Sequence, residues 1–513
     1  MTFKSILYNQ ADGTLRNESP ELNVSSLFTD LNLDQIISAI TSGKEEYNLK
    51  PFFYRGPVDL ETIGYRQQVM KDLENDILLK YIELFAESMR KMREQLALIE
   101  KLHYKYQKER LFIDVVEDYC ETVKVLELNL SLVGLKSIGL LNFREYLKNQ
   151  VKSDHFLFLL EETKRIIADL SSVRYCIYIK GLRVQVLEYK GETDYSVEVD
   201  ETFAKFKEGK VSDYRSVLTH TSILNEVETQ ILDGVAELYP DYFIHLNKFC
   251  EDNRNYQNEL ITIFDREIQF YIAYLNYMDK FKQAGLKFCY PHVSNKNKEV
   301  YNYEGFDLAL ANNLVREKSG VVVNDFYLRD AERILIVSGP NQGGKTTFAR
   351  SFGQIHYLAA LGCPVPGSEA QLFHFDRLLT HFEKEENIKN LRGKLQDELF
   401  RIHLILEEAT PGSVMIINEI FTSTTLQDQI FLSKKIMQKI IDLDLLCVWV
   451  TFIDELASFS ETTVSMVSSV VPENTAMRTY KITRKPADGL AFALSIAEKY
   501  RLTYNQIRER IKL

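Results

Sequence analysis

Long stretches in the first half of the chain carry apolar residues at every third or fourth position, with charged residues between them. No proline interrupts the chain between Val58 and Tyr239. This spacing places apolar side chains on one face of a helix, and the absence of proline permits long helices. The clearest apolar stripe consists of Val69, Leu73, Ile77, Phe85, Met89, Met92, Leu96 and Ile99. It predicts a helix of more than about thirty residues whose Met and Phe side chains lie in the core.

Further helical patterns lie near residues 111–130, 155–172, 222–236 and 254–283. One segment between them alternates apolar and polar residues instead. The alternating positions are Leu182, Val184 and Val186 before a turn at Lys190-Gly191-Glu192, and Tyr195, Val197 and Val199 after it. Period-two alternation around a glycine turn predicts a β-hairpin over residues 182–199, carried on the helical scaffold.

The pattern changes near residue 285, where Pro291, a polar segment and short β-like runs follow one another. Gly320–Val323 and Ile334–Val337 are two of these runs. We therefore predict a domain boundary near 285, with a helical domain over residues 1–284 and a second domain over residues 285–513.

Length, composition and charge narrow the class of protein. The chain has 513 residues, of which 45% are hydrophobic, so it can bury a large core. Neither a signal peptide nor an apolar run of about 18 residues is present, which predicts a cytoplasmic protein without a membrane span. The six cysteines form no CxxC pair, which suits a reducing compartment and argues against structural zinc.

The net charge is −11 and the calculated pI is about 5.5. Nucleic-acid binding is driven by counterion release to Lys and Arg, and no block of basic residues interleaved with aromatic residues occurs. Any DNA contact must therefore be local, and the charge by itself gives little evidence for one.

A phosphate-binding motif follows the apolar run Ile334–Val337. The sequence Gly339-Pro340-Asn341-Gln342-Gly343-Gly344-Lys345-Thr346 fits GxxxxGK[ST] between a strand and a helix-compatible segment beginning at Thr347. Glycines let backbone N–H groups converge on phosphate oxygens. We expect Lys345 to reach the β- and γ-phosphates of ATP and Thr346 to ligate Mg²⁺. The alternative is a chance glycine turn before a helix.

Two later apolar runs complete the expected nucleotide site. Val414–Ile417 ends in Asn418-Glu419, where a P-loop enzyme has its Walker B strand, and Leu446–Thr451 forms a third strand. Glu419 is the candidate for orienting the attacking water or a Mg²⁺-bound water. The alternative for Glu419 is a surface carboxylate that caps the strand. Alternating strands and helices around a P-loop predict a mostly parallel α/β sheet, so the fold class is an all-α domain followed by a P-loop α/β domain.

At these residues the chain resembles the MutS family of mismatch-repair ATPases. Residues 338–347 are similar to the family's TGPNMGGKST, residues 361–366 to its iGsfVPA segment, residues 418–425 to its DEIGRGTST and residues 450–456 to its ATHyhEL. The resemblance is strong over about 285–513 and weaker at Ile63, Arg66, Gln67, Val69 and Leu73. It implies that residues 339–347, including Thr347, bind the nucleotide.

The resemblance also implies a homodimer with composite ATP sites, helical levers and a DNA-bound ring whose state ATP controls. Three positions depart from the family pattern. Asn418 stands where the family has the Walker B Asp, Phe452 where it has a His, and Gly393 where it has the Ser that reaches across the dimer. The resemblance thus implies that Asn418 is a catalytic residue on the Mg²⁺ side, where its amide oxygen accepts a hydrogen bond from a metal-bound water but brings no negative charge. Because each lost polar contact to a developing charge costs on the order of 10² in rate, we expect ATP binding with slow hydrolysis.

Mismatch-reading members carry an N-terminal domain with a Phe-x-Glu wedge. The early Phe85-Ala86-Glu87 lies in an amphipathic helical stripe and is expected to be core, so the chain is expected to be a minimal lever-plus-ATPase member. The main hypothesis is an ATP-dependent DNA-associated switch in mismatch repair or branched-DNA processing. A nucleotide-gated dimeric scaffold that binds a protein partner without DNA is the second, and a small-molecule kinase the third.

Overall fold

The computed structural model describes residues 3–9, 26–181, 183–193, 224–383, 393–471, 474–487 and 502–511, together with Tyr195, Glu198 and Thr202. Its contacts group the chain into two compact units. One comprises Met1–Phe3, Asn75–Leu135 and Leu140–Asp265, and the other Lys4–Glu74, Lys136–Gly139 and Arg266–Leu513. The predicted division near residue 285 into a helical domain and an ATPase domain stays a prediction. By contacts, residues 4–74 belong with the C-terminal part of the chain.

The fold is mixed helical and sheet, as the sequence predicts. The helices are α1 (Ser26–Asp30), α2 (Leu33–Thr41), α3 (Lys50–Tyr54), α4 (Leu60–Leu73), α5 (Asp76–Lys101), α6 (Lys105–Leu132), α7 (Ile138–Gln150), α8 (Asp154–Ser172), α9 (Glu226–Leu238), α10 (Pro240–Asp252), α11 (Glu259–Gln283), α12 (Leu308–Arg316), α13 (Lys345–Ala360), α14 (Lys394–Glu408), α15 (Leu426–Asp442) and α16 (Tyr504–Ile511). Short 3-10 helices cover Glu45–Tyr47 and Asp454–Ser458.

The strands are β1 (Tyr175–Lys180), β2 (Arg183–Glu188), β3 (Phe288–Cys289), β4 (His292–Ser294), β5 (Val300–Gly305), β6 (Asn324–Leu328), β7 (Ile334–Ser338), β8 (Val365–Pro366), β9 (Glu369–Phe373), β10 (Leu378–Phe382), β11 (Val414–Asn418), β12 (Leu446–Val450), β13 (Thr463–Val471) and β14 (Asn474–Arg484). None of the helices in the described part of the chain is long and apolar enough to cross a membrane.

The long helices of the first unit pack along one another. Helix α5 lies against α6, which also packs on α8 and α10. The predicted apolar stripe is buried at Phe85, Met89, Met92 and Ile99, which confirms that these residues are core. The prediction of a single long helix was wrong, however. The Asn75 side chain accepts hydrogen bonds from the N–H groups of Ile77 and Leu78 and starts α5 as a new helix.

The β-hairpin is present, but the prediction that the strand with Val184 and Val186 pairs with a later strand was wrong. Strand β2 contains Val184 and Val186 as expected, and it pairs antiparallel with β1, which precedes it in the chain. The tight turn begins at Gly181, whose φ of 62° suits glycine. Leu182, Val197 and Val199 lie outside the described residues. Alternation reveals a strand but does not identify its partner.

The central sheet of the second unit positions the candidate site. Its strand order is β10-β11-β12-β7-β13-β14, with every neighbouring pair parallel except β13 and β14. All residues of β7, β11 and β12 are buried, including Trp449, the largest fully buried side chain. Strands buried on both faces read as continuous apolar runs, which is why the sequence identified these three. A smaller sheet has the order β4-β9-β5-β6, and β3 pairs with β8.

Candidate functional site

The loop between β7 and α13 has the backbone shape that its glycines predict. Gly339 has a φ of 121°, Gln342 of 59° and Gly344 of 89°, so the chain repeatedly enters the region that L side chains rarely adopt. Helix α13 begins at Lys345, directly after Gly344. The loop therefore presents backbone N–H groups at a helix N-terminus, an arrangement that favours anions.

Gly343 is required by close packing as well as by loop shape. A Cβ built on Gly343 would lie 2.3 Å from the Ser468 Oγ and 2.9 Å from the Pro340 carbonyl oxygen. The Ser468 hydroxyl donates a 2.7 Å hydrogen bond to the Gly343 carbonyl. Strand β13 thus packs against the loop through Ser468, and a residue larger than glycine fits at position 343 only if neighbouring atoms move.

Lys345 is buried inside this loop, with only 4% of its side chain exposed. Its Nζ donates to the carbonyl oxygens of Gly339 and Pro340, at 3.1 and 3.2 Å. Burial lowers the pKa of Lys345, while Glu419, 3.8 Å away, opposes that shift. A buried ammonium held by carbonyls and by one carboxylate is poised to exchange these contacts for a stronger anion.

Thr346 and Asn418 meet at the carboxyl edge of the sheet. The Thr346 hydroxyl donates a 2.9 Å hydrogen bond to the Asn418 Oδ1. Asn418 ends β11, which is separated from β7 by β12 in the sheet, and it is 9% exposed. The structure thus brings together the two residues that the sequence assigned to the metal side. Hydroxyl and amide oxygens are ligands that suit Mg²⁺.

Glu419 and Phe452 face the same lysine from the ends of β11 and β12. Glu419 is partly exposed and has a φ of 51°. Lys345 Nζ lies 4.2 Å from the centroid of the Phe452 ring, which is 47% exposed. Phe452 therefore offers a cation–π contact, whereas it has no hydrogen-bonding group to offer.

Other predicted residues have less defined settings. Asn341 and Gln342 are exposed at the loop tip, Thr347 is half-buried, and Gly393 is the residue before α14. These positions neither support nor contradict the roles that the sequence suggested for them.

Three residues of β13 and β14 contact the loop although no motif marked them. Besides Ser468, the Arg478 Nε donates a 3.3 Å hydrogen bond to the Asn341 carbonyl oxygen. The Tyr480 carbonyl oxygen lies 3.6 Å from the position of a Cβ on Gly344, and the Tyr480 side chain is 51% exposed at a φ of 57°. These residues follow the P-loop by more than a hundred positions, so only strand pairing could reveal them.

Comparisons with known proteins find relatives of this part of the chain. The family model described as MutS domain V matches residues 335–509. A DNA mismatch repair protein MutS from Thermotoga maritima is 24% identical over 276 residues, which are 53% of this chain and 33% of that protein.

Two further relatives match shorter segments. A DNA mismatch repair protein MutS 2 from Halobacterium salinarum is 32% identical over 127 residues, 25% of this chain and 15% of the relative. A DNA mismatch repair protein MSH3 from Eremothecium gossypii is 30% identical over 136 residues, 26% of this chain and 13% of the relative. The chain thus spans about a third of the length of the Thermotoga relative and less of the other two.

Proposed function

We propose that this chain is a member of the MutS family that binds ATP with Mg²⁺ in the loop of residues 339–347. We further propose that it hydrolyses ATP slowly as a cytoplasmic, DNA-associated homodimeric switch. One observation carries the proposal. A buried lysine, a hydroxyl–amide pair and a carboxylate from two separate segments converge at one edge of the sheet. Their types are those that phosphate, Mg²⁺ and water require in a P-loop ATPase.

Binding would rest on the loop backbone and on Lys345. The helix N-terminus and the converging N–H groups attract phosphate oxygens. Lys345, now held by two carbonyls, would turn to the β- and γ-phosphates. The backbone of Tyr480 lies beside Gly344 and its ring is half-exposed, so it is the residue that we propose to stack on the base, because base–aromatic stacking tolerates any base.

The metal side would be formed by Thr346 and Asn418, whose oxygens already lie within hydrogen-bond distance. Bound Mg²⁺ would neutralise phosphate charge. Asn418 brings an amide oxygen and no negative charge, so its hold on the cation or on its water is weaker than that of an Asp.

On the catalytic side, Glu419 is the residue that we propose to orient the attacking water. It lies near Lys345 and is partly open to solvent, so a water can reach it. Phe452 cannot donate to the γ-phosphate as the family's His does. The weaker contact from Asn418 on the metal side and the lost contact at Phe452 on the catalytic side are the reasons to expect slow turnover with ATP binding preserved.

For the whole protein we propose a role in mismatch repair or branched-DNA processing, because the relatives are named as DNA mismatch repair proteins. The second candidate is a dimeric scaffold that binds a protein partner without DNA. The net charge of −11 favours it, since an acidic chain attracts nucleic acid poorly.

A titration separates the two candidates. Purified protein with ATP and Mg²⁺ is tested for binding to mismatched, branched and homoduplex DNA over a series of salt concentrations. Binding that weakens steeply with salt supports the switch, because phosphate contacts release counterions. No binding at low salt, in a protein that still binds ATP and sediments as a dimer, supports the scaffold. A monomer at high concentration with ATP and Mg²⁺ would contradict both.

A further inference from the structure

The loop that carries Glu419 has an unusual backbone. Glu419 has a φ of 51° and Phe421 of 61°, and neither is glycine. Phe421 stands where the family motif DEIGRGTST has its first glycine. Positive φ is sterically unfavourable for a residue with a Cβ and persists only where surrounding contacts hold it. Contacts from neighbouring elements must therefore hold this loop in its positive-φ conformation.

Three neighbouring elements hold the loop by its backbone. The Glu419 N–H donates a 3.0 Å hydrogen bond to the Val450 carbonyl oxygen of β12. The Gln429 Nε2, on α15, donates to the Ile420 carbonyl oxygen at 3.0 Å. The Phe421 N–H donates to the Glu398 Oε2, on α14, also at 3.0 Å. Two of these three hydrogen bonds involve a side chain, Glu398 or Gln429, and so depend on residue type.

Burying the Glu398 carboxyl group costs free energy that packing alone does not offset. It is 4% exposed, and burial raises the pKa of its carboxyl group. The Phe421 N–H and the nearby charges of Lys394 and Arg401 oppose that shift. A buried carboxylate is retained where it satisfies a specific donor. Here the donor belongs to the residue two positions after Glu419.

We propose that Glu398 and Gln429 are positioning residues that lock the Glu419–Phe421 loop in its positive-φ shape and so keep the Glu419 carboxylate facing Lys345. The proposal rests on the catalytic role proposed for Glu419. Glu398 makes the stronger hold, because a hydrogen bond to a carboxylate exceeds one between neutral groups. Without these holds the loop would relax toward negative φ, and the carboxylate would lose its orientation.

The test compares Glu398→Ala, Glu398→Gln and Gln429→Ala with exposed controls on the same two helices, Glu407→Ala and Gln438→Ala. Phosphate release gives kcat and KM, and a fluorescent ATP analogue gives affinity. We expect Glu398→Ala to lower kcat about tenfold and Gln429→Ala about threefold, with affinity within about twofold of wild type. Glu398→Gln should keep most of the activity, because its amide oxygen accepts the same N–H.

Equal loss in Glu398→Gln and Glu398→Ala, or parallel losses of affinity and kcat, would assign Glu398 a structural role only and overturn the proposal. Unchanged kcat in Glu398→Ala would do so as well. Hydrogen exchange followed by mass spectrometry gives a second readout that needs no turnover. The Phe421 amide should exchange faster than wild type in Glu398→Ala and at the wild-type rate in Glu407→Ala. If the wild type binds ATP without hydrolysing it, the ATPase proposal fails by itself, and the exchange result alone decides whether Glu398 holds the loop.

Discussion

The two sides of the proposed nucleotide site, which meet at Lys345, differ in whether backbone or side-chain groups form them. On the phosphate side, the loop of residues 339–344 contributes mainly backbone, shaped by glycines and supported by Ser468. On the water side, Asn418, Glu419 and Phe452 contribute side chains. The phosphate side keeps the family pattern closely, whereas two of these three water-side residues depart from it. A backbone N–H group is kept when a side chain is replaced, whereas no backbone group can take the place of a lost carboxylate or imidazole.

This difference separates binding from catalysis. Interactions made equally with bound substrate and with the transition state set affinity, and those made only in the transition state set kcat. The backbone side is expected to control the first and the side-chain side the second. A substitution on one side should therefore leave the quantity controlled by the other side largely unchanged.

The largest effect is expected from Lys345→Ala, which removes the one cation buried within the described phosphate loop. Nucleotide binding should fall below detection in calorimetry with ATP and Mg²⁺, because the loss leaves the β- and γ-phosphates without their charged partner. Lys439→Ala, on the exposed face of α15, is the matched control and should bind as wild type. Unchanged ATP affinity in Lys345→Ala would refute the P-loop assignment.

The next effect is a gain, from Asn418→Asp combined with Phe452→His. The first change returns charge to the Mg²⁺ side and the second returns a donor to the γ-phosphate, so kcat should rise about a hundredfold. Affinity should change little, because the phosphate side is intact. Steady-state phosphate release at matched Mg²⁺ and DNA measures this. A wild type as fast as the double variant would show that hydrolysis here uses another set of residues.

Glu419→Gln in that restored background should remove the gain. The amide cannot accept a proton from the attacking water, although it keeps the size of the carboxylate. The fall in kcat should be at least about tenfold, with ATP binding retained. Glu455→Gln, an exposed carboxylate that pairs with Lys434, serves as control. A triple variant that keeps the full rate would show that Glu419 only caps its strand.

The smallest effect is expected from Gly343→Ala, which probes the support beneath the loop. The new Cβ would crowd the Ser468 Oγ and the Pro340 carbonyl, so unfolding free energy should fall by about 1–3 kcal/mol, with a few-fold loss of ATP affinity. Ser468→Ala in the same chain should recover part of both losses, since it removes the nearer atom. Chemical denaturation and calorimetry check the pair. Full ATP affinity in Gly343→Ala would mean that the loop tolerates displacement and that its exact backbone shape does not set the affinity.

The errors of sequence reasoning in the helical half have a common cause. The apolar stripe from Val69 to Ile99 is continuous in spacing, yet Asn75 caps a new helix and leaves Ile77 59% exposed. Likewise, the alternating pattern predicts a partner for β2 after the turn at residues 190–192, whereas β2 pairs with the earlier strand β1. Periodicity describes one element at a time, whereas breaks and pairings depend on competing local hydrogen bonds.

The sequence alone determined the parts of this protein that short-range patterns encode. These are the buried strands β7, β11 and β12, the glycine loop with Lys345, and the candidate pair Asn418 and Glu419, because strand burial and loop conformation follow from neighbouring residue types. Only the tertiary structure decided the rest. Ser468 and Arg478 reach the loop, and Glu398 reaches Phe421, through contacts between segments far apart in the chain. No local pattern encodes such a contact, because it depends on which strands and helices become neighbours when the core forms.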